Sequence, residues 1–205
     1  MNGHLFAIVG GSGSGKSWLA RRLADEFGDE AGLLSLDDFY RDLSHLNPEE
    51  RDQTNFDHPS AIDWPLFHDV LSRIWSGQPA TLPSYDFSTH TRRPAMRNWK
   101  PRRIVLIEGL WLLRYPELRR LYSMSVFVEC PEHVRLERRL ERDQRERGRS
   151  AQSVRAQFDQ QVAPMHDRFV TRQAQHADFL MESPVSQAQL TKLSARCNQR
   201  LHQAN

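Results

Sequence analysis

The sequence predicts an α/β fold: a mainly parallel β-sheet with helices on both faces. Three observations predict it. The apolar run at residues 5–9 ends in glycines and leads into a helical pattern over Lys16–Phe27, with Leu19, Leu23 and Phe27 on one face. Two more apolar runs, at 103–108 and 124–129, follow after helical stretches rather than after tight turns, the rhythm of parallel sheets. The runs do not alternate polar with apolar, as strands covered on both faces do not need to.

The remaining elements follow in order. Residues 33–36 read as a second short strand. Asn47-Pro48-Glu49-Glu50 marks a helix start, with Pro in the first turn and acids at the positive end of the helix. Trp64–Trp75 reads as a helix with Phe67, Val70, Leu71 and Ile74 facing inward. Residues 81–91 alternate weakly and suggest an extended hairpin. An arginine-rich helix begins after Pro131 and breaks at Gly148, a second long helix covers 150–175, residues 179–181 form a last strand, and a terminal helix starts at Ser186. Residues 37–60 and 80–100 fit the rhythm poorly, and irregular connections of that length are often functional. No repeat or Gly/Ser linker divides the chain, so residues 1–205 are expected to form a single domain.

Composition narrows the function classes. Hydrophobic residues make up 39% and charged residues 26%, which excludes a disordered chain. No apolar run approaches the roughly 18 residues of a membrane span. The start, Met1-Asn2-Gly3-His4, lacks a secretory signal, so a cytoplasmic location and no membrane partner are expected. The net charge of +2, from 28 basic and 26 acidic side chains, does not announce nucleic-acid binding. All basic residues except Lys16, Lys100 and Lys192 are arginines, the better fork for phosphate oxygens. Cys130 and Cys197 form neither a metal pattern nor a disulfide framework and are expected to be reduced thiols.

The strongest motif is Gly10-Gly11-Ser12-Gly13-Ser14-Gly15-Lys16-Ser17, a full match to G-x-x-x-x-G-K-[ST] between a predicted strand and a predicted helix. Such a P-loop turns backbone N–H groups inward around phosphate oxygens, at the positive end of the helix. Lys16 can reach the β/γ-phosphates of a nucleoside triphosphate such as ATP, and the Ser17 hydroxyl can ligate Mg²⁺. Glu108 ends an apolar strand at the edge where ligands gather, and can hold a metal-bound water or stand as an exposed strand-end acid.

Other residues are open to two readings at this point. The pair Asp37-Asp38 can place a carboxylate over the phosphates to accept a hydroxyl proton, or cap a helix. Asn55-Phe56-Asp57-His58-Pro59 and Pro83-Ser84-Tyr85-Asp86-Phe87-Ser88-Thr89-His90 bring aromatics, carboxylates and histidines into the irregular stretches. Aromatics there can sandwich a flat base, or simply pack. Seven arginines, 135, 138, 139, 142, 145, 147 and 149, fall within fifteen residues. They can close over a transferring phosphoryl group and would repel one another without it, while Arg135, Arg138 and Arg145 read as a solvated face. His45, His58, His133, His166 and His176 have no metal-ligand spacing, and His58 is expected to support the loop holding Asp57.

Together the P-loop, Asp37-Asp38-Phe39-Tyr40, Phe56-Asp57-His58-Pro59, Tyr85-Asp86-Phe87, Glu108-Gly109 and Arg139-Leu140-Glu141-Arg142-Asp143 with Glu146-Arg147-Gly148-Arg149 resemble the uridine–cytidine kinases, within the phosphoribulokinase/uridine kinase group. The order and spacing agree from about residue 5 to 180. The resemblance implies a P-loop kinase fold with a substrate-binding β-hairpin at about 80–100 and a helical lid at about 135–160. It implies phosphorylation of the 5′-hydroxyl of uridine and cytidine by ATP (or another nucleoside triphosphate) with Mg²⁺, in pyrimidine salvage. Asp37 would be the catalytic base, acting with Lys16 and Arg142. Arg142 and Arg147 would join the P-loop on the phosphates, and Ser17 and Glu108 would serve the metal. Asp57, Arg139 and Gln157 would hold the ribose, and Tyr40, Tyr85, Phe87, His90 and Arg149 would surround the base. The family resemblance also implies a homotetramer.

The sequence departs from the family's commoner pattern at Ser150, where an acid is frequent, and at Pro94-Ala95-Met96-Arg97-Asn98-Trp99, which borders the stretch assigned to the base. Other classes remain to be weighed: a kinase of the same architecture acting on nicotinamide riboside, pantothenate or a sugar phosphate, a nucleotide-binding regulatory module without turnover, and an RNA-binding protein. Tyr85-Asp86-Phe87 with His90 favours a base pocket over a sugar-phosphate site, intact Lys16, Ser17, Asp37 and Glu108 favour turnover, and the interleaved acids disfavour RNA.

Overall fold

The computed structural model describes residues 3–203. β1 (His4–Gly10) runs through the glycine-rich loop into α1 (Lys16–Phe27), which returns the chain to β2 (Ala31–Ser35). A 3₁₀ turn at Leu36–Phe39 follows at once. Neither Asp37 nor Asp38 caps it: the Ser35 hydroxyl accepts from the Asp37 N–H, so the capping alternative fails because the shorter side chain already sits at the start of the turn. α2 (Pro48–Asp52) begins with the expected start signal, a capping box in which the Asn47 side chain accepts from the Glu50 N–H and the Glu50 carboxylate accepts from the Asn47 N–H, each at 3.0 Å. α3 (Trp64–Trp75) buries Phe67, Val70, Leu71 and Ile74, the face its spacing predicts.

The irregular stretch at 80–100 is wider than the hairpin expected at 81–91. β3 (Ala80–Leu82), β4 (Tyr85–Asp86), β5 (Thr91–Arg92) and β6 (Arg97–Trp99) form two antiparallel ladders, β4 with β5 at the inner end and β3 with β6 outside. The return strand thus lies in the divergent 94–99 segment, where only Trp99 is buried. The Trp99 ring lies against Gly32 of β2, where any side chain would collide with it. Trp99 joins Ala80, Leu82 and Tyr85 in the core that β1 and β7 share, which ties the insertion to the sheet.

β7 (Ile104–Gly109) is buried along its whole length. After α4 (Pro116–Arg119) comes β8 (Tyr122–Glu129), then the arginine-rich α5 (Glu132–Arg147), closed by Gly148 in the left-handed conformation at φ 62°. α6 (Ala151–Gln157) starts on a Ser150 cap. The regular helix expected to 175 does not form. Two π-turns, Phe158–Val162 and His166–Val170, flank Ala163–Met165, and Thr171–His176 tightens to 3₁₀. Pro164 supplies the reason, since it lacks an N–H and its ring crowds the carbonyl four residues back. β9 (Phe179–Glu182) and a C-terminal helix, Gln187–Gln203, complete the chain.

The five long strands form one parallel sheet in the order β2-β7-β1-β8-β9. Alternate residues of β1 serve two cores. Leu5, Ala7 and Val9 pack with α3, while Phe6 and Ile8 pack with Leu19, Ala20 and Leu23 of α1 and with Leu190, Leu193 and Cys197 of the C-terminal helix. Cys130 and Cys197 are free thiols, as expected, and burial pushes Cys197 up to about 12. Among the described residues no helix is long and apolar enough to cross a membrane. The consequence for function is positional: Gly10, Ser35 and Glu108 lie at the carboxyl ends of neighbouring strands, where α/β folds collect ligands.

Candidate active site

The P-loop is held from behind by α5. Ser14 N–H bonds to the Gly11 carbonyl at 3.1 Å, and Gly13 takes φ 80°. A Cβ on Gly13 would stand 2.5 Å from the Arg135 carbonyl oxygen, so the first turn of α5 lies directly against the loop. Both facts demand glycine. Gly13→Ala is therefore expected to lose at least ~1–2 kcal/mol of stability, since the left-handed conformation alone costs that for a residue with a Cβ. Urea unfolding checks it, with an unchanged midpoint as the contrary result.

Inside the loop, Lys16 is buried and its Nζ lies 3.9 Å from Glu108 Oε2. Ser17 Oγ donates to the same oxygen at 2.9 Å, and Ser35 Oγ donates to Glu108 Oε1 at 2.6 Å. Glu108 is buried, so the reading as an exposed strand-end acid is overturned: the parallel register sets it beside Ser35 at the bottom of the cleft. Ser17 and Glu108 offer the hard oxygens that Mg²⁺ takes, few enough to leave room for water and phosphate ligands. Ser14 Oγ is buried without a hydrogen-bond partner in the loop that would cradle the phosphates. The donor set fits a nucleoside triphosphate with Mg²⁺.

Asp37 lies over this cleft. Its Oδ1 is buried and unpartnered. Burial, and next the nearby Glu108 charge, raise the carboxyl to about 6, against the pull of Lys16, Arg142 and Arg147. Asp38 turns the other way and pairs with Arg97 of the insertion.

Asp57 is buried as well, its backbone held in a turn by the Asn55 side chain at 3.0 Å. Burial raises its pKa, opposed first by Arg139. His58 supports this loop as expected: its Nδ1 accepts from the Ser60 N–H at 3.1 Å, and its ring meets Phe169 edge-on. Next to Asp57 the aromatic residues converge. Tyr40 donates to the Phe56 carbonyl at 3.1 Å and contacts the rings of Phe56, Tyr85 and Phe87. Tyr85 and Phe87 meet at 5.3 Å, and His90 stacks on Phe56 at 4.2 Å.

The arginines do act against one another: after burial, Arg142 and Arg139 both lower the pKa of Arg147, but a shared carboxylate offsets them. Asp143 is fully buried among them. Arg142 donates to its Oδ1 at 2.8 Å, Arg147 lies 3.5 Å from the same oxygen, and Arg139 and Arg149 lie 3.5 and 4.0 Å from Oδ2. Arg139 also donates to Ser12 Oγ of the P-loop and to Gln157 Oε1, both at 2.9 Å. Arg149 shares that Gln157 oxygen, so Gln157 braces two arginines. Arg147 covers the Phe87 ring at 5.2 Å, so the arginine-rich segment and the insertion meet.

The solvated-face expectation holds for exposed Arg145 and fails for two others. Arg135 is 2% exposed and donates to the Cys130 carbonyl. Arg138 reaches the Gly13 and Ser14 carbonyls and Ser183. Both back the P-loop because α5 packs its first turns there. The main residues missed are Asp143 and Ser35. The Asp143 signal was present, with Arg139 and Arg147 four residues to either side. Ser35 had none, since its role depends on the parallel register.

Comparison with known proteins agrees with this geometry. The model of the phosphoribulokinase / uridine kinase family matches residues 5–189. The chain is 41% identical to the uridine kinase of Pasteurella multocida, over 86% of this chain and 84% of that protein. It is also 41% identical to the uridine kinase of Klebsiella pneumoniae, over 86% and 85%. Among solved structures, phosphoribulokinase from Rhodobacter spheroides shares the fold with a TM-score of 0.66 at 13% identity, over 88% of this chain and 70% of that one. D-glycerate 3-kinase from Cryptococcus neoformans does so with a TM-score of 0.64 at 17% identity, over 84% and 80%. With the family model covering residues 5–189 and relatives 41% identical over most of their length, the chain belongs to the phosphoribulokinase/uridine kinase family of kinases.

Proposed function

We propose that the chain is a nucleoside kinase that transfers a phosphoryl group from ATP to the 5′-hydroxyl of uridine and cytidine, yielding UMP and CMP in cytoplasmic pyrimidine salvage. The observation that carries the reading is the aromatic cluster of Tyr40, Phe56, Tyr85, Phe87 and His90 next to buried Asp57, with Tyr40 close to both Asp37 and Asp57. A flat base suits the rings, and a carboxylate that accepts two hydrogen bonds suits a ribose diol. The names of the relatives support the same substrate class.

ATP would supply the γ-phosphoryl group; Ser17 and Glu108 would hold Mg²⁺, which when bound would neutralise charge on the phosphate oxygens. Lys16 and the P-loop N–H groups hold the phosphates. Asp37 accepts the proton of the 5′-hydroxyl as its oxygen attacks phosphorus. Arg142 and Arg147, poised on Asp143, stabilise charge spread over the transferring group. Tyr85, Phe87, His90 and Arg149 border the base. Release of ADP from ATP with Mg²⁺ is the test, measured against ribonucleosides, nicotinamide riboside, pantothenate and ribulose 5-phosphate. Turnover confined to uridine and cytidine is expected, and turnover on pantothenate or the sugar phosphate alone overturns the assignment.

The sugar gives a sharper check. Removing the 2′-hydroxyl leaves the buried Asp57 carboxylate with an unmet bond, at a cost of about 1–3 kcal/mol. Uridine should therefore exceed 2′-deoxyuridine in kcat/KM by roughly 5- to 150-fold. Asp57→Ala should shrink that ratio while lowering activity on uridine. Equal kcat/KM for the two nucleosides in the unmodified protein would leave Asp57 without a role in reading the sugar.

A further inference from the structure

A second concave site lies outside the cleft. It has a volume of about 580 Å³ and is lined by Arg114, from the loop after β7, and by Arg168, Phe169, Arg172, Gln173 and His176 of the irregular helix. None of the residues assigned to the nucleotide or the nucleoside lines it. Its lining contains no carboxylate, and among the described residues Arg114, Arg168 and Arg172 form no ion pair.

The walls are built rather than loose. Gln173 is buried with both ends of its amide engaged: Oε1 accepts from the Leu113 N–H at 2.9 Å and Nε2 donates to the Leu110 carbonyl at 2.7 Å. The Arg114 guanidinium is held over the rings of Tyr115 at 5.4 Å and Phe169 at 4.9 Å, and Arg168 lies over Phe169 at 5.0 Å. Arg114 Nε is buried and has no hydrogen-bond partner. A buried donor without an acceptor is costly and rare in folded proteins. Arg168 and Arg172 add two further permanent cations to a lining that holds no carboxylate. One kind of ligand suits both the unpartnered donor and the cationic lining: an anion whose oxygens accept from guanidinium forks. The volume exceeds what a single phosphate fills and falls in the range of small-molecule pockets.

We propose that this cavity is a second anion site, which binds a small molecule bearing phosphate groups. Free polyphosphate and a nucleotide offer the same chemistry, so both serve as probes. In EDTA and 0.15 M salt, calorimetric titration with inorganic pyrophosphate should find two sites per chain, one at the P-loop and one at the cavity. Arg168→Gln with Arg172→Gln should weaken the second at least tenfold and leave kcat and both KM values within twofold. Lys16→Ala should weaken only the first. Arg172→Gln alone, an exposed change, should show a smaller loss in the same direction and guards against misfolding of the double variant. A parallel titration with a nucleoside triphosphate separates the sources: two sites with both probes indicate a phosphorylated metabolite, two with pyrophosphate alone indicate the inorganic group, and either supports the site.

Three results overturn it. One is a single, Lys16-dependent site in the unmodified protein. Another is equal weakening by Arg21→Gln with Arg22→Gln, exposed arginines of α1, which would mean diffuse surface attraction. The third is a change of oligomer in sedimentation velocity on altering Arg168 and Arg172, with no second binding event, which would mean that another copy of the chain covers the cavity.

Discussion

Asp37→Asn is expected to slow the chemical step by roughly 10²–10⁴, the usual range for a general acid–base group. The lower end is favoured, because phosphoryl transfer leans on positioning more than on base strength. Nucleoside binding should persist, as Asn keeps the shape of the side chain. Only ionised Asp37 can take the proton. With its carboxyl raised to about 6, kcat/KM should be flat above that pH and fall about tenfold per unit below it. The same shift has a consequence for stability. The folded carboxyl binds its proton more tightly than the unfolded one, whose value is 3.8. The stability it contributes is therefore complete below 3.8 and lost as the pH rises through 6. At pH 7 the ionised, buried carboxylate weakens the fold, by about 1–3 kcal/mol. Asp37→Asn should thus melt several degrees higher while turning over far more slowly, at roughly 2–4 °C per kcal/mol for a chain of this size. Stopped-flow kinetics and calorimetry read the two effects. A variant that loses activity and stability together would make Asp37 structural, and a crippling Asp38→Asn beside a mild Asp37→Asn would reverse the assignment within the pair.

Asp143→Ala should cost about 3–5 kcal/mol, the range for breaking a buried ion pair from one side. The lower end is expected, since the arginine tips reach solvent. Arg139, Arg142, Arg147 and Arg149 then lose their common counter-charge, and Arg142 also loses its 2.8 Å hydrogen bond. Urea denaturation measures the loss. Asp143→Asn separates charge from shape: it keeps one acceptor oxygen and should recover only part of the stability. The arginine-rich segment should also become sensitive to protease around 142–149 in the Ala variant, and much less so in the unmodified protein. An unchanged midpoint in Asp143→Ala would show that solvent screens the arginines without help.

The amino-acid pattern by itself determined the sheet, the P-loop and the family. Each of these is written locally. A continuous apolar run makes a buried strand, glycines at fixed offsets make the loop, and Lys16 and Ser17 follow within it. The capping box at Asn47, the inward face of α3 and the break at Gly148 are local in the same sense, because each depends on residues within about four positions. The two-fold choices left open by the residues were decided in space. Ser35 meets Glu108 only because β2 and β7 pair in parallel register. Asp37, rather than Asp38, keeps a buried, unpartnered carboxylate oxygen, while Asp38 finds Arg97 across the insertion. Arg135 and Arg138 read as solvated charge until α5 is packed against the P-loop. Asp143 reads as one more acid in a salt-bridged helix until four guanidiniums close around it. Burial turns an ordinary surface charge into a positioned and energetically consequential one, and burial is a property of the packed chain rather than of any stretch of it.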